Sequence, residues 1–91
     1  MADPRPTRGP IVVASLDKNR REKVRVALDE YQGTKLIDLR ITVELTESSG
    51  IQTPTRKGVA LNVGLLPELR AALAEAEAQA LALGWLSPEG S

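Results

Sequence analysis

The chain has 91 residues, with 12 Lys and Arg against 12 Asp and Glu, 42% hydrophobic residues and only 2% aromatic ones. That composition describes one small domain with a thin aliphatic core, which invites stabilisation by self-association. Cysteine and histidine are both absent, which excludes disulfides, thiol nucleophiles, imidazole catalysis and the usual zinc sites.

Residues 1–10 carry Pro4, Pro6 and Gly9 without apolar periodicity. They read as a flexible arm, followed by too short an apolar run for a signal peptide. No apolar run approaches the roughly 20 residues of a membrane helix, so a cytoplasmic protein is expected, nucleoid-associated if bacterial. Ile11 to Leu16 is a β-branched run and predicts a strand. Asp17 to Glu22 is polar and turn-like. Val24, Val26 and Leu28 alternate with Arg25 and Ala27 in a second strand, and Gly33 marks the next turn.

Leu36 to Leu45 alternates strictly. Ile37, Leu39, Ile41, Val43 and Leu45 make a dry face, and Asp38, Arg40, Thr42 and Glu44 a wet one. A loop follows at Glu47-Ser48-Ser49-Gly50. Thr53-Pro54-Thr55-Arg56-Lys57-Gly58 reads as a rigid turn holding two adjacent cations between a proline and a glycine. Val59 to Leu61 is then a fourth strand, and the four strands predict an antiparallel meander.

The period next changes to three and four at Leu66, Leu69, Leu73, Ala76, Ala80 and Leu83, one stripe of a helix. Asn62 is placed to cap it. Pro67 sits either in a distorted opening that begins at Val63 or at the first helical position. Gly84 fits the stop. The fold class is α+β, four strands and then one C-terminal helix. The helix covers only part of one sheet face, and the long third strand needs cover from a second subunit. The expected organisation is an arm over residues 1–10, a domain over 11–86 and a tail over 87–91.

The zero net charge is unevenly spread. Residues 18–62 hold nine Lys and Arg against six Asp and Glu, whereas residues 63–91 hold Arg70 against four Glu. A basic face is therefore possible. Tyr31-Gln32-Gly33-Thr34-Lys35 sets a ring beside a turn and a cation, and Arg56-Lys57 adds two more. Ring plus cations is the physical recipe for holding single-stranded nucleic acid.

The ordered set Leu28-Asp29-Glu30-Tyr31-Gln32-Gly33, Leu36-Ile37-Asp38-Leu39-Arg40 and Pro54-Thr55-Arg56-Lys57-Gly58-Val59-Ala60-Leu61, followed by a leucine-patterned helix, resembles the positive cofactor four family. This is the single-stranded-DNA-binding domain of a transcriptional coactivator, with short bacterial and phage relatives. The resemblance runs from about Ile11 to about Leu83. It implies a homodimer whose helices and part of the sheet form the interface, with curved sheets forming grooves for single strands. By the same resemblance Tyr31 stacks on a base, Arg40 is the family's basic residue after Leu-Ile-Asp-Leu, and Pro54, Arg56, Lys57 and Gly58 keep the basic segment. Gln32 and Thr34 stand where family members often carry lysines, Val43 where better-known members have a second aromatic, and Thr53 where a cation often precedes the proline. A stacked base contributes about 1–3 kcal/mol, so the missing ring implies weaker binding or different base contacts.

Each residue also has a plainer reading. Tyr31 either stacks a base or fills the edge of a small core. Arg56 and Lys57 either bind phosphates or decorate a solvated turn. Arg40 either faces the groove or pairs with Asp38 or Glu44 across strands. Arg25 is a supporting contact, as is Lys35. Lys18, Arg20, Arg21 and Lys23 form a basic cluster, read as a solvated hairpin turn that adds to the field ahead of a nuclear-localisation-like patch, and Trp85 reads as a hydrophobic latch onto the body or a partner subunit ahead of a nucleic-acid contact.

The function expected is sequence-tolerant single-stranded DNA binding by a homodimer, in transcription regulation or in replication and repair. RNA is a variant of the same chemistry. The rival is a protein-interaction module that docks the transcription machinery. No cofactor or metal is expected. Asp38, Glu44 and Glu47 form no acid/base constellation and no glycine-rich phosphate loop is present, so an enzyme is not expected.

Overall fold

The computed structural model describes residues 9–46 and 49–88. Most of the expected N-terminal arm, Glu47 and Ser48 of the expected loop, and the last three residues of the tail lie outside the described residues. One antiparallel sheet runs in the order β1 (Ile11–Asp17), β2 (Glu22–Tyr31), β3 (Thr34–Glu44) and β4 (Gln52–Asn62). A 3-10 turn at Val63–Leu65 then leads into helix α1 (Leu66–Ala82).

Local chemistry fixes the first two turns. The Asn19 side-chain oxygen accepts from the Arg21 and Glu22 amides at 3.0 and 2.9 Å, and the Lys18 and Asn19 amides donate to the Glu22 carbonyl. Between β2 and β3 only Gln32 and Gly33 intervene, with φ of 50° and 82°. Two successive left-handed residues make the turn whose twist matches a hairpin. It sets Tyr31 opposite Thr34, and from there Ala27 opposite Asp38 and Arg25 opposite Arg40.

The stretch Thr53–Gly58 is not a turn. It lies inside β4. Proline and glycine are also the residues of edge strands and bulges, and β4 is an edge. The register jumps from Arg40 opposite Gly58 to Thr42 opposite Pro54. Thr55, Arg56 and Lys57 therefore bulge out against Ile41. Gly58 has φ of +149°, and a Cβ there would lie 2.3 Å from the Leu39 carbonyl oxygen. Only glycine lets β4 close onto β3 beside Arg40.

The sheet's two faces differ from the expected dry and wet sides. Val24, Val26, Leu28, Ile37, Leu39, Ile41, Val59 and Leu61 share one face by register. Of these only Ile37 is buried. The polar face instead holds the buried Ala27, Asp38 and Thr42. The long Arg25 and Arg40 side chains, both bonded to Asp38, lie across it, whereas on the apolar side the Val63–Leu65 turn packs on β3 and the described residues bury Ile37 alone.

Asn62 caps the 3-10 turn, its side chain accepting from the Gly64 amide at 2.8 Å. Pro67 then sits in the first turn of α1, so the distorted opening beginning at Val63 is the form adopted. The helix ends as Gly84 predicts. Gly84 has φ of +79°, its amide donates to the Leu81 carbonyl, and the Trp85 amide donates to the Ala80 carbonyl at 2.8 Å. These two bonds are the Schellman pair. α1 contains no buried residue, with Leu73 59% exposed. Cover of the sheet by its own helix is slighter than expected, with only Leu66 and Leu69 among the leucines of the stripe half-buried. Trp85 is 77% exposed, so the expected latch onto the body does not form among the described residues.

Candidate nucleic-acid interface

Alternation along β2 places Tyr31 and Arg25 on one face, and the register adds Arg40 and Asp38 to it. Tyr31 ends β2 at the hairpin turn and is 66% exposed. Among the described residues its hydroxyl accepts only from its neighbour Gln32, at 3.3 Å. The ring fills no core and is free to stack. Six residue steps along β3 separate the Tyr31–Thr34 pair from the Arg40–Gly58 pair, a span of about 20 Å.

In the middle of that span, Asp38 collects two arginines. Arg40 donates from Nη2 to Oδ1 at 2.6 Å and from Nε to Oδ2 at 3.3 Å. Arg25 donates from Nη2 to Oδ2 at 3.4 Å. Arg40 thus pairs with Asp38 of its own strand, not with a carboxylate on an adjacent one. The hydrogen bond from Arg40 is the main reason the Asp38 carboxyl sits below the usual carboxylate range, against the opposing effect of burial. The same bond raises Arg40 above its ordinary value. Arg25 Nε is buried without a partner.

At the far end of the span, the β4 bulge is pinned from two sides. Arg40 Nη1 donates to the Arg56 carbonyl at 3.2 Å and the Thr55 carbonyl at 3.5 Å. The Thr55 hydroxyl donates to the Ile41 carbonyl at 2.8 Å and accepts from the Lys57 amide at 3.1 Å. Pro54 opens the distorted stretch and Gly58 closes it. Arg56 and Lys57 are exposed, and among the described residues neither meets a carboxylate at ion-pair distance.

Lys35 is not part of this group. It pairs with Glu30 at 3.2 Å, and the register puts both on the apolar face, opposite Tyr31. The β1–β2 basic cluster is largely satisfied internally. Lys18 pairs with Glu22, and Lys23 pairs with Asp17. Arg21 reaches the carbonyls of Glu44 and Leu45 at 2.7 and 2.8 Å, tying the end of β3 to the turn. Val43 sits on the apolar face between Glu22 and Thr53. Sequence reasoning missed Asp38 and Thr55 as parts of the site. An aspartate two residues before an arginine on one strand face was a usable signal for the first; nothing local marked the second. Among the described residues no cluster of His, Cys, Asp or Glu is placed to hold a metal, and no helix is long and apolar enough to cross a membrane.

The family model described as Transcriptional Coactivator p15 (PC4) matches residues 17–72, more than half of the chain. The chain belongs to the PC4 family. That is a family known for single-stranded DNA binding and coactivator roles. Two crystal structures of a PC4 homolog from Burkholderia pseudomallei are similar to it. The orthorhombic form is 25% identical, with a TM-score of 0.67 over 75% of this chain and 89% of that one. The tetragonal form is 25% identical, with a TM-score of 0.66 over 76% of this chain and 98% of that one. A comparison with curated proteins finds no match. Every candidate contact from Arg25 to Gly58 lies inside the stretch matched to PC4, whereas the second half of α1 and Trp85 lie beyond it.

Proposed function

We propose that this chain is a homodimeric, sequence-tolerant single-stranded-DNA-binding protein acting in transcription regulation or in replication and repair. The observation that carries the reading is the track along the sheet. An exposed ring at Tyr31 stands at one end, and Arg25 and Arg40 at the other, beside the β4 bulge whose exposed Arg56 and Lys57 form no ion pair among the described residues. A ring that stacks any base, with cations that meet phosphates, binds without reading sequence. Pro54 and Gly58 shape the bulge, and Lys35 adds only to the general field. RNA is bound by the same contacts, because stacking and phosphate pairing do not separate the sugars.

Dimerisation is supported by what one chain leaves open. Among the described residues its apolar sheet face buries only Ile37, and α1 buries no residue. A second copy supplies both surfaces at once. Light scattering at micromolar concentration is expected to give twice the chain mass, and a monomeric mass would count against this. Ultraviolet crosslinking to an oligothymidine, followed by peptide mapping, tests the site. The adduct is expected on the peptide containing Tyr31; adducts confined to other segments would remove the ring from the mechanism.

One observation favours the rival reading. β1 is an unpaired edge with Ile11, Val12, Val13 and Leu16 exposed, a template for strand addition by a protein of the transcription machinery. Absence of oligonucleotide binding together with capture of RNA polymerase would select it.

A further inference from the structure

We propose that Asp38 is a positioning residue for nucleic-acid binding, acting through Arg40 to hold the β4 bulge in the shape that presents Arg56 and Lys57. The inference rests on the reading of this face as the nucleic-acid site. Asp38 is 5% exposed, and a carboxylate is costly to bury unless it is paired. The β2–β3 register places Arg25 directly opposite Arg40, where like charges repel. Asp38 lies in the next row of the same face and takes both.

The grip on Arg40 is two-pointed, through Nε and Nη2. A two-point fork fixes the plane of the guanidinium. With that plane set, Nη1 is aimed at the Thr55 and Arg56 carbonyls. Those carbonyls belong to the residues that face Ile41 out of register. All three guanidinium nitrogens of Arg40 are thus engaged within the chain. Its main effect on a bound strand passes through the main chain beneath Arg56 and Lys57.

The consequence runs against simple electrostatics. Removing a negative charge from a nucleic-acid face should strengthen binding on Coulomb grounds. The positioning role requires the reverse. Asp38→Asn should bind a labelled single-stranded oligonucleotide on the order of tenfold more weakly, because a loosened bulge must be ordered on binding. The salt dependence of its affinity should also become shallower, since fewer phosphates are engaged. A loss of folded fraction alone would not change that slope. Asp29→Asn removes the same charge from the same face, where the carboxylate accepts only from the adjacent Glu30 amide. It should bind as well as wild type or better. Arg40→Lys keeps the charge but not the fork, and covers the case in which Asp38→Asn fails to fold. It should weaken binding in the same way.

Amide hydrogen exchange supplies a readout independent of any ligand. In Asp38→Asn the Lys57 amide, held by Thr55, should exchange faster while the β2–β3 hairpin stays protected. Binding by Asp38→Asn equal to or tighter than wild type, or an unchanged Lys57 amide, would overturn the proposal. Absence of binding by the wild type would instead remove the nucleic-acid reading, and the exchange experiment would still decide whether Asp38 shapes the bulge.

Discussion

Replacing Gly58 by alanine probes the contact that brings the basic bulge against Arg40. The new methyl would lie 2.3 Å from the Leu39 carbonyl oxygen and 2.9 Å from Arg40 Cα. Both are backbone atoms, which cannot swing aside as a side chain would. Overpacking of this kind costs about 1–3 kcal/mol, and the glycine-only backbone angle of +149° adds about 1–3 kcal/mol. The sum is about 4 kcal/mol, or a fall in Tm of roughly 15–30 °C for a domain of this size. Gly33→Ala is the comparison. Its φ is +82°, but no atom lies within 4 Å of the added methyl. Only left-handed strain remains, about 1–2 kcal/mol, or roughly 4–15 °C. Circular dichroism melts at equal protein concentration separate the two, since a dimer's melting point depends on concentration. Equal losses at Gly58 and Gly33 would refute the close approach of β4 to β3.

Arg56→Ala with Lys57→Ala should leave melting nearly unchanged, because among the described residues neither side chain forms an ion pair. It should lower the salt slope of single-strand binding by about 1.4, at roughly 0.7 per phosphate. Tyr31→Ala should lose about 1–3 kcal/mol of binding, whereas Tyr31→Phe should lose little, since the hydroxyl meets only Gln32; equal losses would contradict stacking. The Asp38 carboxyl is held down in the fold, chiefly by the hydrogen bond from Arg40. Its stabilisation is therefore complete above the unfolded value of about 3.9 and is lost as pH falls through the lower folded value. Asp38→Asn should flatten that part of an acid denaturation curve, and an unaltered curve would show that the pair does not form. Trp85 is the only tryptophan; dilution that dissociates the dimer should shift its emission to the red if it docks on the partner, and a constant spectrum would leave it in solvent.

Much of the fold was legible because it is local. Alternation from Leu36 to Leu45 located β3, the Tyr31–Thr34 turn located the hairpin, and Gly84 located the helix stop. Pro54 and Gly58 misled, because the residues that end a strand in isolation are also those that bulge one at an edge. What was not legible depends on register. Lys35 lies four residues from Tyr31, yet the two-residue turn sends it to the opposite face. Asp38 looked like an ordinary wet-face carboxylate until pairing set Arg25 against Arg40 beside it. The low burial of the apolar face follows from the same cause, since periodicity marks a face as apolar without saying what covers it.

The most direct measurement is fluorescence anisotropy of a labelled single-stranded oligonucleotide of about 20 nucleotides, titrated with the protein and challenged with duplex. With three phosphates engaged by the cations of this face, raising salt from about 50 to about 200 mM should weaken binding roughly fifteen- to twentyfold per site. Salt-sensitive binding that duplex does not displace is the expected result. No binding at low salt, or binding indifferent to salt, would contradict a phosphate-gripping, base-stacking face.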